Sequence, residues 1–185
     1  MSSVSSARKY GRGDDGKTFL LSGEKIWKDD ERLEALGEID ELSSIIGVAI
    51  SLLGEEDEVS QILLKTQEHL FIIGSQLAQE QSSEAISYKI DEALNYIDNL
   101  VYELESKLPI LRRFIFLGGA IPAAVIHLAR AVARRSERRV VTMSKKYLVY
   151  PGVLAYMNRL STLLFILARY VNMKRGYKER EWIQI

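Results

Sequence analysis

The ten residues Arg130-Ala131-Val132-Ala133-Arg134-Arg135-Ser136-Glu137-Arg138-Arg139 hold five arginines and one glutamate. On a helix, where each residue turns about 100° from the last, Arg130, Arg134 and Arg138 share a narrow stripe with Glu137 at its edge. Val125, Val132, Ser136, Val140 and Met143 then occupy the opposite side. Guanidinium groups are always charged and fit phosphate or carboxylate oxygens bidentately, so the stripe suits a polyanion or an ion-pair interface. A second stretch, Tyr10-Gly11-Arg12-Gly13-Asp14-Asp15-Gly16-Lys17-Thr18, combines backbone freedom with cations and a hydroxyl. Its glycines let backbone N–H groups turn toward an anion, with Arg12, Lys17 and Lys28 supplying charge. The same glycines also suit the ordinary turns of a flexible arm.

Composition narrows the chemistry. No cysteine is present, which excludes disulfides, cysteine nucleophiles and thiolate metal sites and fits a reducing compartment. His69 and His127 are the two histidines, and their separation lacks the spacing of a histidine metal motif. His69 reads as a packing residue, whereas His127 falls near the arginine side with a supporting or surface role. Net charge is zero but unevenly placed. Residues 24–108 carry 6 Lys and Arg against 20 Asp and Glu, while residues 109–146 carry 9 against 1. Such segregation brings one part of a molecule to another part, to another subunit or to an anion. Overall neutrality argues against a dedicated nucleic-acid binder. The Ser-rich start lacks the apolar centre of a signal peptide, and no apolar run is expected to reach the roughly 18 residues of a membrane span. The expectation is a cytoplasmic protein with no membrane partner.

The elements that must hold these residues read as an all-α bundle. Residues 1–30 form an irregular arm. From Asp30 onward Leu33, Leu36, Ile39, Ile46, Ile50 and Leu53 recur at helical steps until Gly54, with Asp29 or Asp30 as cap and Asp40, Glu41 and Ser44 on the other face. Residues 57–80 and 84–107 give two more helices, the latter ended by Pro109. The extended piece Arg112-Arg113-Phe114-Ile115-Phe116-Leu117 leads to a Gly118-Gly119 turn and a helix over 121–144 that carries the stripe, with Pro122 in its first turn. After a connector at 147–152, residues 153–175 form a helix apolar almost all round from Leu160 to Val171, hence central. Its polar residues Asn158, Arg159, Ser161, Thr162, Arg169 and Asn172 then need partners. Residues 176–185 read as a polar surface tail, so the chain forms one domain of arm, bundle at 31–175 and tail.

Taken in order, Gly13-Asp14-Asp15-Gly16-Lys17-Thr18, Gly23-Glu24, Lys28-Asp29-Asp30, Ile39-Asp40-Glu41-Leu42-Ser43, Phe114 to Gly119, Arg130 to Arg139, Asn158-Arg159-Leu160-Ser161 and Ala168-Arg169-Tyr170 resemble the PduO-type ATP:cob(I)alamin adenosyltransferases. The resemblance spans roughly residues 10–175. It implies a ferritin-like five-helix bundle assembled as a homotrimer, with active sites between subunits, and a reaction in which the cobalt of cob(I)alamin attacks C5′ of ATP and triphosphate leaves. Reduced cobalt is itself the nucleophile, so the protein needs none; it must align ATP and stabilise the leaving charge.

By position, the resemblance makes Tyr10, Gly11, Arg12, Gly13, Thr18 and Lys28 the ATP loop, and Arg134, Arg135, Glu137 and Arg138 the ATP face of the stripe. Asn158 joins them near Mg2+, which rides on the ATP phosphates. Arg130 is implied to pair with Asp40 of a neighbouring subunit, and Phe114 to pack beneath the corrin and keep the lower axial ligand away. A cob(II)alamin reductase and a B12-dependent enzyme are the implied partners. The chain departs from the family pattern in two places: Tyr10-Gly11-Arg12-Gly13 stands where members commonly read Thr-Lys-Thr-Gly, and Leu117 where they commonly carry proline. The rival reading is a helical polyanion or nucleic-acid module built on the arginine stripe alone.

Overall fold

The computed structural model describes residues 11, 13–20, 22–79 and 83–183. Its elements are β1 (Lys17–Phe19), β2 (Lys25–Trp27), α1 (Glu31–Leu53), α2 (Glu58–Leu77), α3 (Glu84–Ser106), α4 (Ile121–Ser144) and α5 (Pro151–Lys174). Tyr10 and Arg12 lie outside the described residues. The helix starts follow local chemistry. The Asp30 carboxylate accepts from Arg32 N, that of Asp57 from Val59 N, and Ser83 Oγ from Ile86 N, each meeting one of the donors a first turn leaves free. Prolines stand in the first turns of α4 and α5, where no intrahelical N–H is missed. Gly54, at φ 94°, ends α1.

In the bundle α4 packs between α1 and α5, α3 between α5 and α2, and α2 returns to α1. Contrary to the expectation from the sequence, α5 is by length and composition long and apolar enough to cross a membrane. Its apolar surface is instead spent on neighbouring helices: Tyr156, Met157, Leu160, Leu163, Leu164, Leu167 and Ala168 are fully buried. The polar residues of α5 divide. Ser161, Arg169 and Asn172 are buried, whereas Asn158 and Thr162 are exposed and half-buried Arg159 reaches Asp98 of α3 at 2.7 Å.

One other expectation changes, and two gain detail. The arm is not wholly irregular: β1 and β2 pair antiparallel with Thr18 opposite Ile26, a contact between three-residue strands too short to show a period. The described tail residues lie at the surface as expected, and they are tied to the segment before α4: Phe116 N donates to Arg180 O at 2.8 Å and Trp182 N to Phe114 O at 2.7 Å. Charge segregation is satisfied in good part within the chain, along the seam between α1 and α4. There Arg135 binds Glu38 at 2.6 Å and also Glu41, Arg139 lies 3.7 Å from Glu34, and Lys146 lies 2.7 Å from Glu31. Arg139 is an exposed member of this seam.

Both histidines are buried. His69 sits with its Nδ1 3.1 Å from the Tyr156 hydroxyl. His127 is not at the surface as expected: its ring packs 5.9 Å from that of Phe165, and neither nitrogen has a hydrogen-bond partner among the described residues. Burial pushes both imidazoles down to about 4, helped by Lys65 at His69 and by Arg130 at His127. Both histidines are therefore neutral in the fold, while the unfolded chain binds protons below the ordinary value of about 6.5. The stability this confers is complete above that value and is lost as pH falls from it toward 4. Between pH 7.5 and 5 each histidine is expected to remove about 2 kcal/mol, read by urea unfolding. His127→Leu, which deletes two unpaired buried nitrogens, should be neutral or stabilising at pH 7.5 and should abolish about half of the acid loss.

Candidate active site

A large concavity is assembled around the segment between α3 and α4. Three devices of α5 and the tail fix that segment. Asn172, 3% exposed, accepts from Ala120 N through Oδ1 at 2.9 Å and donates from Nδ2 to Gly118 O at 2.8 Å. The Arg169 guanidinium, also buried, donates to Pro109 O at 2.8 Å and grips Glu179 of the tail through Nε at 2.8 Å. The bridge of Ile115 with Glu181 then lays the tail beside Phe114.

The result is a pocket of about 950 Å³. Its apolar sector comprises Leu111, Phe114, Ile115, Leu117, Phe165 and Trp182, and its guanidinium groups belong to Arg112, Arg113, Arg130 and Arg134. Phe114 is 79% exposed, with its ring centroid 6.5 Å from that of Trp182. An aromatic side chain so uncovered in a concave site marks a surface awaiting an apolar ligand.

On α4 the predicted arginines separate into three environments. Arg130 is half-buried, its guanidinium 6.0 Å above the Phe165 ring and its Nε without a partner among the described residues. Arg134 is exposed on the pocket wall, and Arg138 beside it is exposed, with Nη1 donating to Arg134 O at 2.9 Å. Between these two, Glu137 Oε1 accepts from exposed Asn158 Nδ2 at 3.1 Å, joining α4 to α5. Arg135 points the other way, and its acids on α1 raise its pKa above the ordinary guanidinium range. The structure thus gathers Arg134, Glu137, Arg138 and Asn158 on one exposed face and binds Arg135 to α1.

The arm forms a separate site. Gly13, at φ 106°, lies so close to Lys28 that an added Cβ would meet Nζ at 3.2 Å and Lys17 O at 2.8 Å. Among the described residues Lys28 has no ion partner. Gly11, Gly13, Lys17 and Thr18 help line a cavity of about 760 Å³. Beside it Lys25 binds Asp15 at 2.8 Å, and burial of the arm's base is anchored where Arg32 clamps Glu24 at 2.7 Å and Asp30 at 3.0 Å while stacking on Tyr147. No described cavity is lined by both arm and stripe. Asp40 is exposed on α1, has no ion partner among the described residues, and is not brought to Arg130 within one chain.

Sequence reasoning passed over Phe165 and Trp182 as pocket walls and Glu38 as the partner of Arg135. It did mark Arg169 and Asn172 as buried polar groups requiring partners, and those partners build the pocket.

A capped five-helix bundle with an aromatic, arginine-rimmed pocket beside an exposed arginine face is the class defined by this architecture. Residues 9–171 match the family described as cobalamin adenosyltransferase, and the chain belongs to that family. It is 37% identical over 174 residues to a corrinoid adenosyltransferase of Bacillus subtilis (strain 168), covering 92% of this chain and 89% of the relative. Against corrinoid adenosyltransferase MMAB of Homo sapiens it is 37% identical over 179 residues, 93% of this chain and 71% of the relative. A variant PduO-type ATP:corrinoid adenosyltransferase from Lactobacillus reuteri, solved in complex with cobalamin and ATP, superposes with a TM-score of 0.88 at 29% identity, covering 95% and 99% of the two chains.

Proposed function

We propose that this chain transfers the 5′-deoxyadenosyl group of ATP to cob(I)alamin. The cobalt–C5′ bond forms as the C5′–O bond breaks, and triphosphate leaves with the bonding pair. The observation that carries the reading is the single pocket in which uncovered Phe114 and Trp182 stand beside Arg130 and Arg134. A large ring with apolar faces fits the aromatic sector, and a polyanion leaving from its upper side meets guanidinium groups.

In this reading Arg134 and Arg138 hold the triphosphate, with Lys28, Gly11, Gly13 and Thr18 closing over it from the arm; Tyr10 and Arg12 join them by position. Glu137 and Asn158 offer one carboxylate and one amide oxygen, a donor set that suits Mg2+ already carried by phosphates. Mg2+ would neutralise charge on the leaving group. Phe114 excludes the lower axial ligand of the corrinoid. Arm and stripe line separate described cavities in one chain, and Asp40 and Arg130 both lack an ionic partner among the described residues. Both facts support a homotrimer in which the arm of one subunit covers the stripe of the next and Asp40 meets Arg130 across the interface. A cytoplasmic location, with a reductase supplying cob(I)alamin and a B12-dependent enzyme taking the product, completes the proposal.

The test is the absorbance change from cob(I)alamin to adenosylcobalamin with ATP and Mg2+ under anaerobic reducing conditions. A full conversion is expected. An unchanged spectrum, with retained binding of a polyanion such as heparin, would overturn the reading in favour of a polyanion-binding module.

A further inference from the structure

The pocket carries more positive charge than the proposed reaction uses. Of its four arginines, Arg134 is assigned to triphosphate and Arg130 to the subunit interface, and no Asp or Glu is among the lining residues. Arg112 and Arg113 remain. Both are exposed, on the segment that carries Phe114. Arg113 lies 3.5 Å from Glu181, a loose contact between two half-exposed side chains. Arg112 has no ionic or hydrogen-bonded partner among the described residues. One unpaired guanidinium, Arg112, and one loosely held, Arg113, beside an apolar pocket favour a ligand with an anionic group outside its ring.

The sidedness of the pocket says which group. On the proposed reading Phe114 faces the lower side of the ring, the side from which a displaced lower ligand and its tail must depart. Arg112 stands two residues before Phe114 on that same wall. The ring periphery of cobalamin bears neutral amides, and its tail bears a phosphodiester.

We propose that Arg112, seconded by Arg113, forms an anion subsite at the pocket mouth that takes the phosphodiester of the corrinoid's nucleotide tail. This rests on the assignment of the pocket to a corrinoid. It makes the tail, and not only the ring, an element of substrate selection, and it offers the displaced tail a place to settle while Phe114 occupies its former position.

The experiment compares cobalamin with cobinamide, which lacks both the phosphate and the base, and with cobinamide phosphate, which carries the phosphate without the base. Steady-state transfer and calorimetric binding of the cobalt(II) forms are measured for the unaltered protein and for Arg112→Gln. The expected result is that Arg112→Gln weakens cobalamin and cobinamide phosphate about fivefold, the scale of one exposed charge-assisted contact. Cobinamide and the KM for ATP should be unchanged, and the fivefold effect should shrink in 0.5 M salt as screening predicts. Arg112→Lys should keep part of the discrimination. An equal effect of Arg112→Gln on all three corrinoids would overturn the subsite, as would a shift confined to the KM for ATP. Failure of the unaltered protein to transfer to any corrinoid would overturn the proposed function, and the subsite with it; transfer to all three without discrimination overturns the subsite alone.

Discussion

Arg134→Ala is expected to lower turnover at least about 10²-fold while leaving the fold and assembly intact. Arg134 is exposed on the pocket wall and its guanidinium has no ionic partner among the described residues, so truncation removes no described ion pair. Its value must lie in a ligand. Charge on the leaving triphosphate grows as the C5′–O bond breaks, and a guanidinium fixed toward it stabilises the transition state more than bound ATP; loss of one such donor typically removes 10²- to 10³-fold in kcat. The effect should therefore fall on kcat, with little change in the KM for ATP. Arg135→Ala makes the contrast, because it releases Glu38 and Glu41 at the seam with α1 and should act on thermal stability first. Single-turnover spectroscopy together with sizing and melting of both variants separates the two. Full activity of Arg134→Ala would show that this arginine does not serve the triphosphate.

The contrast between Arg134 and Arg135 also shows where the sequence stops being readable. Apolar spacing and capping residues were enough to place five helices, because each helix start carries its own acid, serine or proline and each buried face repeats locally. A step of one residue turns a side chain by about 100°, so a polar neighbour next to the apolar stripe can face either solvent or the adjoining helix. What decided Arg135 was Glu38, 97 positions away. The bridge of Ile115 with Glu181 is similarly distant in sequence and is only one pair long, which leaves no period to detect. For His127 its own helix correctly gave nearness to Arg130, but not its burial, because that comes from Phe165 on α5. By contrast Arg169 and Asn172 announced themselves, since polar groups inside so apolar a helix must have buried partners. The proposed meeting of arm with stripe rests on family resemblance, because one chain holds the two in separate described cavities.

Gly119→Ala is expected to be the most destabilising single methyl in the chain, at about 3–5 kcal/mol, and to abolish corrinoid binding along with it. Gly119 has φ 111°, a region costly for any residue with a side chain, and a Cβ there would overlap Asn172 Oδ1 and lie 2.6 Å from its Cγ. Asn172 cannot yield. It is buried on the central helix and holds Gly118 O and Ala120 N, the two backbone groups flanking the methyl. Displacing the amide would leave both groups unsatisfied, whereas displacing the turn would move the wall that carries Phe114. Asn172→Ala alone should cost about 2–3 kcal/mol by orphaning the buried Ala120 N–H. Because it also removes the atoms struck by the new methyl, the double variant should be less destabilised than the sum of the singles by at least about 1 kcal/mol, leaving the strain at φ 111° as the remainder. Urea unfolding of the four proteins measures this coupling, and calorimetric binding of cob(II)alamin reads the wall. A Gly119→Ala protein within about 0.5 kcal/mol of the unaltered one would show that Asn172 does not lock the turn, and that the exposed stance of Phe114 has some other support.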